Sequence, residues 1–395
     1  MFVQGRSDET FSDENLHVQP NILDLVDFCK GLAIALVCFF HYKSGWFGWQ
    51  GVHIFIVLSG FGLTYSCLKK NRNILWRQWY LRRAEKVLPT YWIVILSGFF
   101  FSVHHFALQG NSILISLWKS TPQFFLDISL LKAFSYQALW GVKPIIGFGY
   151  DHLWFIPLII SFYIFFPFLY RLLTRCEGWY VLLWAAAFEF TYRLISIYWC
   201  DGFPIGHEQA FIPGSSLFGP NPLDKLVEGF PFQLQAPFSL FPSRLAEFTL
   251  GMIGGISFFN HRFKWIFSIK ATLAGFFIWT TGYICVFIDR IGWIFSDFLI
   301  ALGLILLVVN LARFFQLYLP FLFKKISQLG IWSYYIYLVH KIFIGLFLRL
   351  ILNSSNVLLG HVMMLLLLVF FTWVASLFLK WIDGSKLLNP FQINR

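Results

Sequence analysis

The chain has 395 residues, of which 58% are hydrophobic, 21% aromatic and only 12% charged, and its mean hydropathy is +0.68. Soluble domains carry about 25% charged residues, so this composition excludes a disordered chain, a collagen, a coiled coil and an ordinary cytosolic enzyme. The formal charge of +11 does not indicate nucleic acid as a partner, because the positive side chains sit mainly between apolar runs, where the positive-inside rule expects them.

A membrane helix needs ~20 mostly apolar residues. Ten such stretches are read in chain order, at about 24–43, 48–68, 88–106, 153–174, 179–198, 243–259, 267–287, 291–312, 330–351 and 357–382. They predict an all-α polytopic membrane protein, a bundle of about ten transmembrane helices over residues 22–382, with tails at 1–21 and 383–395. The first twenty residues are polar and net acidic and do not read as a signal peptide. The stretch 112–131 is apolar but broken by Lys119, Pro122 and Asp127, and is expected as an interfacial or re-entrant segment on the outer surface.

Orientation follows from Lys and Arg. The 69–87 loop holds Lys69, Lys70, Arg72, Arg77, Arg82, Arg83 and Lys86, which marks it as cytoplasmic. Alternating from there puts 18 basic residues inside and seven outside, so both termini are expected in the cytoplasm, with the chain in the cell membrane. Residues 199–242 fall outside and carry seven prolines. That density prevents a regular helix, and the segment is read as a connecting loop, or as an outer lid or acceptor platform.

The six cysteines, at 29, 38, 67, 176, 200 and 285, are scattered. No CxxC or Cys/His cluster forms, so neither a metal site nor a disulfide framework is expected.

Ionisable groups inside spans are costly and point to function. The first span has Lys30 and His41, eleven residues apart. Three helical turns are ~10.8 residues, so both lie on one face, ~16 Å apart along the axis. A histidine can exchange a proton near neutral pH, as a general base must. Glu189 and Arg193 are spaced i, i+4 in the fifth span, and Arg244 and Glu247 i, i+3 at the start of the sixth. Each pair can meet on its own helix and neutralise charge. Asp151 and His152 open the fourth span at the depth of His41. Asp151 or Glu247 could orient a histidine. His340 and Lys341 are read as shaping the bundle interior. Ser59, Gly60 and Gly62 are read as small residues for close helix packing, and Pro89 as a first-turn proline of the third span.

Six strings lie in order along the chain: "LVDFCKGLAIALVCFFHY", "GVHIFIVLSGFGLTYS", "YLRRAEKVLPTYW", "DHLWFIPLIISFYIFFPFLY", "SRLAEFTLGMIGG" and "LGIWSYYIYLVHKIF". Together they resemble the membrane acyltransferase 3 family over roughly residues 22–382. The family's first-span motif is an Arg, ten residues, then a His. Lys30 stands here at the Arg position, Lys86 replaces the last Arg of the basic loop, and His53 stands where many members have Asp. Lysine keeps the charge and loses the bidentate fork.

The resemblance implies transfer of an acyl group, usually acetyl, from cytosolic acyl-CoA to a hydroxyl of a surface polysaccharide or lipid-linked glycan. No tightly bound cofactor is implied. It makes His41, Lys30 and Glu247 catalytic candidates and Arg82, Arg83 and Lys86 the acyl-CoA phosphate site. Asp151, His152, Arg244 and His340 follow as secondary candidates. His41 would act as general base or carry the acyl group transiently. The other class that ten helices with buried charges suit is a glycan or lipid transporter without chemistry.

Overall fold

A computed structural model describes residues 22–43, 48–70, 74–131, 151–198, 238, 240–288, 290–351 and 357–384. Among these residues there are eleven helices and no strand. They are α1 (Ile22–Lys43), α2 (Gly51–Lys70), α3 (Trp76–Leu108), α4 (Ile113–Ile128), α5 (Phe155–Arg175), α6 (Gly178–Tyr198), α7 (Leu245–Phe259), α8 (Ile269–Ile288), α9 (Gly292–Tyr318), α10 (Pro320–Ile351) and α11 (Val357–Gly384). Short 3₁₀ turns lead into α2, α5, α7 and α8. Six of these segments are long and apolar enough to cross a membrane, and the protein is a multi-pass membrane protein. The N-terminal tail, the C-terminal tail from residue 385 and most of 199–242 lie outside the described residues.

Glycines set the closest helix crossings. A Cβ on Gly31 would lie 1.9 Å from the Ile326 carbonyl oxygen, and one on Gly330 would lie 1.7 Å from that of Asp27. Helices α1 and α10 therefore touch backbone to backbone. The α2–α7 crossing is built the same way, with Gly60 against the Phe248 carbonyl and Gly251 against that of Val57. Without a hydrophobic drive between helices in lipid, such contact supplies the van der Waals packing that joins them.

Aromatic rings fill the wider seams. Trp79 of α3 stacks on Phe166 of α5 at 5.1 Å, and Phe162 stacks on Phe248 of α7 at 4.3 Å. Aromatic pairs of this kind contribute ~0.5–1.5 kcal/mol beyond their buried area.

Helix α4 has inverted amphipathicity. Ser116, Ser120 and Asp127 are buried, while Ile113, Leu114 and Trp118 are 72–80% exposed. Ser120 shares a 2.8 Å hydrogen bond with Ser102 of α3, and the Tyr91 hydroxyl donates to the Asp127 carbonyl at 2.7 Å. A polar face turned inward and an apolar face turned outward suit a lipid surround.

Three readings of the sequence are corrected by the helix boundaries and contacts. The basic cluster is not a loop: α3 starts at Trp76, so Arg77, Arg82, Arg83 and Lys86 ride on its first turns. Straight-chain residues there keep helix propensity high, and Trp76 and Trp79 anchor the segment against Phe166. Pro89 consequently lies in the helix interior, not its first turn. Close to it the Tyr334 hydroxyl donates to the Val87 carbonyl at 2.6 Å, which ties this part of α3 to α10. Third, Gly60 packs tightly, but Gly62 has nothing within 4 Å of a Cβ position. It lines a cavity instead, as does Ser59.

Candidate active site

That cavity has a volume of about 650 Å³ and lies among α1, α2, α3, α5, α10 and α11. Four cations line it: Lys30, Arg83, Lys86 and Lys380. Lys30 also pairs with Asp27 at 3.4 Å. The Arg83 guanidinium sits 5.6 Å from the centre of the Trp79 ring, and the Lys380 ammonium 3.9 Å from that of Trp332. Such cation–aromatic contacts fix the charged ends of long side chains. Arg82, two residues closer to the helix start than Ala84, is exposed and is not among the lining residues. Of the expected phosphate-binding trio, then, the structure groups Arg83 and Lys86 with Lys30.

The cavity also reaches Phe155 and Tyr337, which pack on each other at 5.7 Å. Tyr337 carries the wall onward to three histidines. His41, at the end of α1, has ring-centre separations of 5.2 Å to His340 of α10 and 6.0 Å to His152. His152 and His340 are 4.9 Å apart. The His152 Nε2–H donates to the Tyr337 carbonyl at 2.9 Å, and the Tyr337 hydroxyl donates back to the His152 carbonyl. The His340 Nδ1–H donates to the same Tyr337 carbonyl at 2.9 Å and to that of Ile336 at 3.1 Å. The side chain of Asp151 lies outside the described residues. Lys30 and His41 thus lie in two places along α1, Lys30 in the cationic cavity and His41 in the histidine cluster.

Glu247 is not beside His41. It belongs to a second, fully buried cluster, whose members are at most 1% exposed. The His53 Nδ1–H donates to Glu247 Oε2 at 2.9 Å, and Arg244 Nη1 donates to Glu247 Oε1 at 3.0 Å. Arg244 also pairs with Asp297. Arg193 donates to Asp297 Oδ2 at 2.7 Å and to the Trp293 and Ser243 carbonyls at 2.9 and 3.3 Å. Glu189 accepts the Ala246 N–H at 2.8 Å. The expected Arg244–Glu247 pair forms, whereas the expected Glu189–Arg193 pair does not: Arg193 reaches across to α9 and Glu189 takes a backbone N–H at the start of α7. A buried polar group without a hydrogen bond is costly, and one i, i+4 contact would leave most of the guanidinium unmet. The cluster ties α2, α6, α7 and α9 together.

Two participants escaped the sequence reading. Asp297 is a lone acid inside the eighth span, a signal that intramembrane ionisable residues always give. Lys380, near the end of α11, shows in the sequence only as one of the basic residues expected inside. Among the described residues, no group of three or more His, Cys, Asp or Glu side chains is arranged to hold a metal ion.

Comparison with known proteins gives two findings. A segment of 153 residues is 26% identical to the peptidoglycan O-acetyltransferase OatA of Listeria monocytogenes serovar 1/2a. The match covers 36% of this chain and 23% of that relative, so the chain spans about a quarter of the protein it resembles. No solved structure matches. The model of the acyltransferase 3 family, described as an acyltransferase domain, matches residues 23–381, and with nearly the whole described bundle inside that match the chain belongs to this family.

Proposed function

We propose that the protein transfers an acetyl group from cytosolic acetyl-CoA to a hydroxyl of a surface glycan or its lipid-linked precursor, with His41 as general base. The single observation that carries this reading is the continuity of one cavity from four cations to Tyr337, the residue that hydrogen-bonds His152 and His340. Coenzyme A bears several phosphate charges, and Arg and Lys suit those oxygens. Its thin pantetheine arm suits a passage of this volume between helices. The glycan acceptor is supported by the name of the Listeria relative and by the outward position of His41 that the charge asymmetry implies.

In the reaction, His41 takes the proton of the acceptor hydroxyl while the oxygen attacks the thioester carbonyl carbon. The carbon–sulfur bond breaks, and His41 returns the proton to the departing thiolate, leaving an ester and free CoA. Lys30, Arg83, Lys86 and Lys380 hold the nucleotide end. Positioned general bases contribute ~10²–10⁴-fold.

The test uses purified full-length protein with acetyl-CoA and muropeptides, reading acetyl ester by mass spectrometry and CoA thiol by colour. Wild type is expected to form ester, and His41→Gln, at equal monodisperse yield, to lose at least ~10²-fold. Near-normal transfer by His41→Gln would remove His41 as base. Movement of glycan without ester formation would favour a transporter.

A further inference from the structure

Helical serines in this bundle commonly spend their hydroxyls locally. Ser66, Ser97 and Ser161 each donate to the carbonyl three residues back, at 2.9, 2.7 and 2.6 Å, and Ser376 to the one four residues back at 2.6 Å. Such back-bonding gives a side-chain hydroxyl a partner within its own helix. Two serines of the cavity wall depart from this habit, Ser59 of α2 and Ser333 of α10. Neither hydroxyl bonds to any described residue. Ser333 is only 7% exposed, and the space beside it is the cavity it lines. A buried polar group without a hydrogen bond is costly, and a ligand that supplies the partner removes that cost.

The helices fix where these hydroxyls stand. Gly330 of α10 lies against the Asp27 carbonyl, at the level of the Asp27–Lys30 pair. Tyr337 lies at the histidine end. Ser333 is three residues from the first and four from the second, ~4.5 and ~6 Å along the axis. On α2, Phe55 packs on Phe155 at 6.1 Å, and Phe155 packs on Tyr337 at 5.7 Å. Ser59 is about one turn, ~6 Å, further from that end. Both hydroxyls therefore sit between the cations and the histidines, among apolar side chains such as Leu58, Ile156 and Ile159.

A donor whose phosphates meet the cations and whose thioester nears the histidines crosses this stretch with a neutral chain. In CoA that chain carries two secondary amides, each with one N–H and one carbonyl. A serine hydroxyl both donates and accepts, so it can meet either group. Resting on the reading of acetyl-CoA as donor, we infer that Ser59 and Ser333 are binding residues for the amides of its pantetheine arm. The donor is then recognised at two levels of one cavity, its charge by lysine and arginine and its arm by neutral hydroxyls.

The test separates the arm from the nucleotide. Purified full-length protein is titrated calorimetrically with CoA and with adenosine 3′,5′-bisphosphate, which keeps the nucleotide end and lacks the arm. Ser333→Ala is expected to weaken CoA binding ~3- to 10-fold, the worth of one neutral hydrogen bond, and to leave the bisphosphate unchanged. Ser59→Ala should do the same from α2. Ser333→Thr keeps the hydroxyl and should retain CoA affinity. Arg83→Ala should weaken both ligands. Alanine breaks no bond inside the protein at either serine and favours the helix, so both alanine variants are expected to melt with the wild type.

Unchanged CoA affinity in either alanine variant, an equal loss for CoA and the bisphosphate, or a loss in Ser333→Thr as large as in Ser333→Ala would each overturn the inference while leaving the donor reading in place. A wild type that binds neither ligand would overturn the donor reading and this inference with it.

Discussion

Replacing Arg193 by methionine probes the charge balance of the buried cluster. Two guanidinium groups, Arg193 and Arg244, there face three carboxylates, Glu189, Glu247 and Asp297, and the imidazole of His53. Losing Arg193 leaves the Trp293 and Ser243 carbonyls without its N–H donors and Asp297 with Arg244 as its remaining guanidinium partner. Removing one member of a buried ion pair costs ~3–5 kcal/mol. An unfolding entropy of ~2.1 cal/mol/K per residue over the chain is ~0.8 kcal/mol per degree, so the expected fall in Tm is about 4–6 °C.

Glu189→Gln should behave differently. Its amide oxygen can still accept the Ala246 N–H, and it removes a negative charge from a cluster with more carboxylates than guanidinium groups. The expected shift is under ~1 °C, the range of a substitution that breaks no buried contact. Exposed Arg171→Met serves as a control of the same size, since surface charges are worth ~0–1 kcal/mol. Thermal melts of the purified protein in detergent supply the readout. Equal losses for Arg193→Met and Glu189→Gln would refute the charge accounting, and an unshifted Arg193→Met would refute the cluster as support.

Three further outcomes are expected. Arg83→Ala should raise KM for acetyl-CoA roughly 10- to 150-fold, the worth of one charged hydrogen bond of ~1.5–3 kcal/mol, with normal thermal stability; an unchanged KM would reduce Arg83 to a topology signal. Lys30→Arg should be tolerated because Arg fits the resembled motif and keeps the charge beside Asp27, whereas Lys30→Ala should lose most donor binding in the same kinetic assay. In a chain freed of Cys200 and of the exposed Cys176, an impermeant thiol reagent added outside should label Leu108→Cys and spare Leu75→Cys, sites 74% and 61% exposed; the reverse pattern would put His41 on the cytoplasmic side.

Much of the bundle was legible because apolar runs of membrane length are hard to hide in a sequence. The first turns of α3 were not, since a dense run of Arg and Lys carries the same statistical weight in a loop as in a helix, and only the contacts of Trp76 and Trp79 decide it. That Lys30 and His41 share one helix was legible from spacing on one segment. Their partners were not: His340 comes from the opposite end of the chain, and spacing says nothing about which distant helix arrives. The same blindness produced the Glu189–Arg193 pair, where a plausible local partner concealed Asp297, 104 residues away.

The crossing of α1 and α10 has a consequence for biosynthesis. Ser327 of α10 hydrogen-bonds the Asp24 carbonyl of α1 across 303 residues of sequence. Translation at ~5–20 residues per second takes roughly 15–60 s to cover that distance. During this interval α1 is already made, carrying Asp24, Asp27 and Lys30, with α2 at hand early, close enough for Gly51 to meet the Ala33 carbonyl, and α9 late, where Phe315 packs on Phe28. The groove that Gly330 later fills is meanwhile open to whatever the insertion machinery or the lipid offers. The cationic cavity and the histidine cluster both need α10, so they are born together in a single late event. A nascent chain stopped before α10 would contain every residue of the first span but neither the cationic cavity nor the histidine cluster.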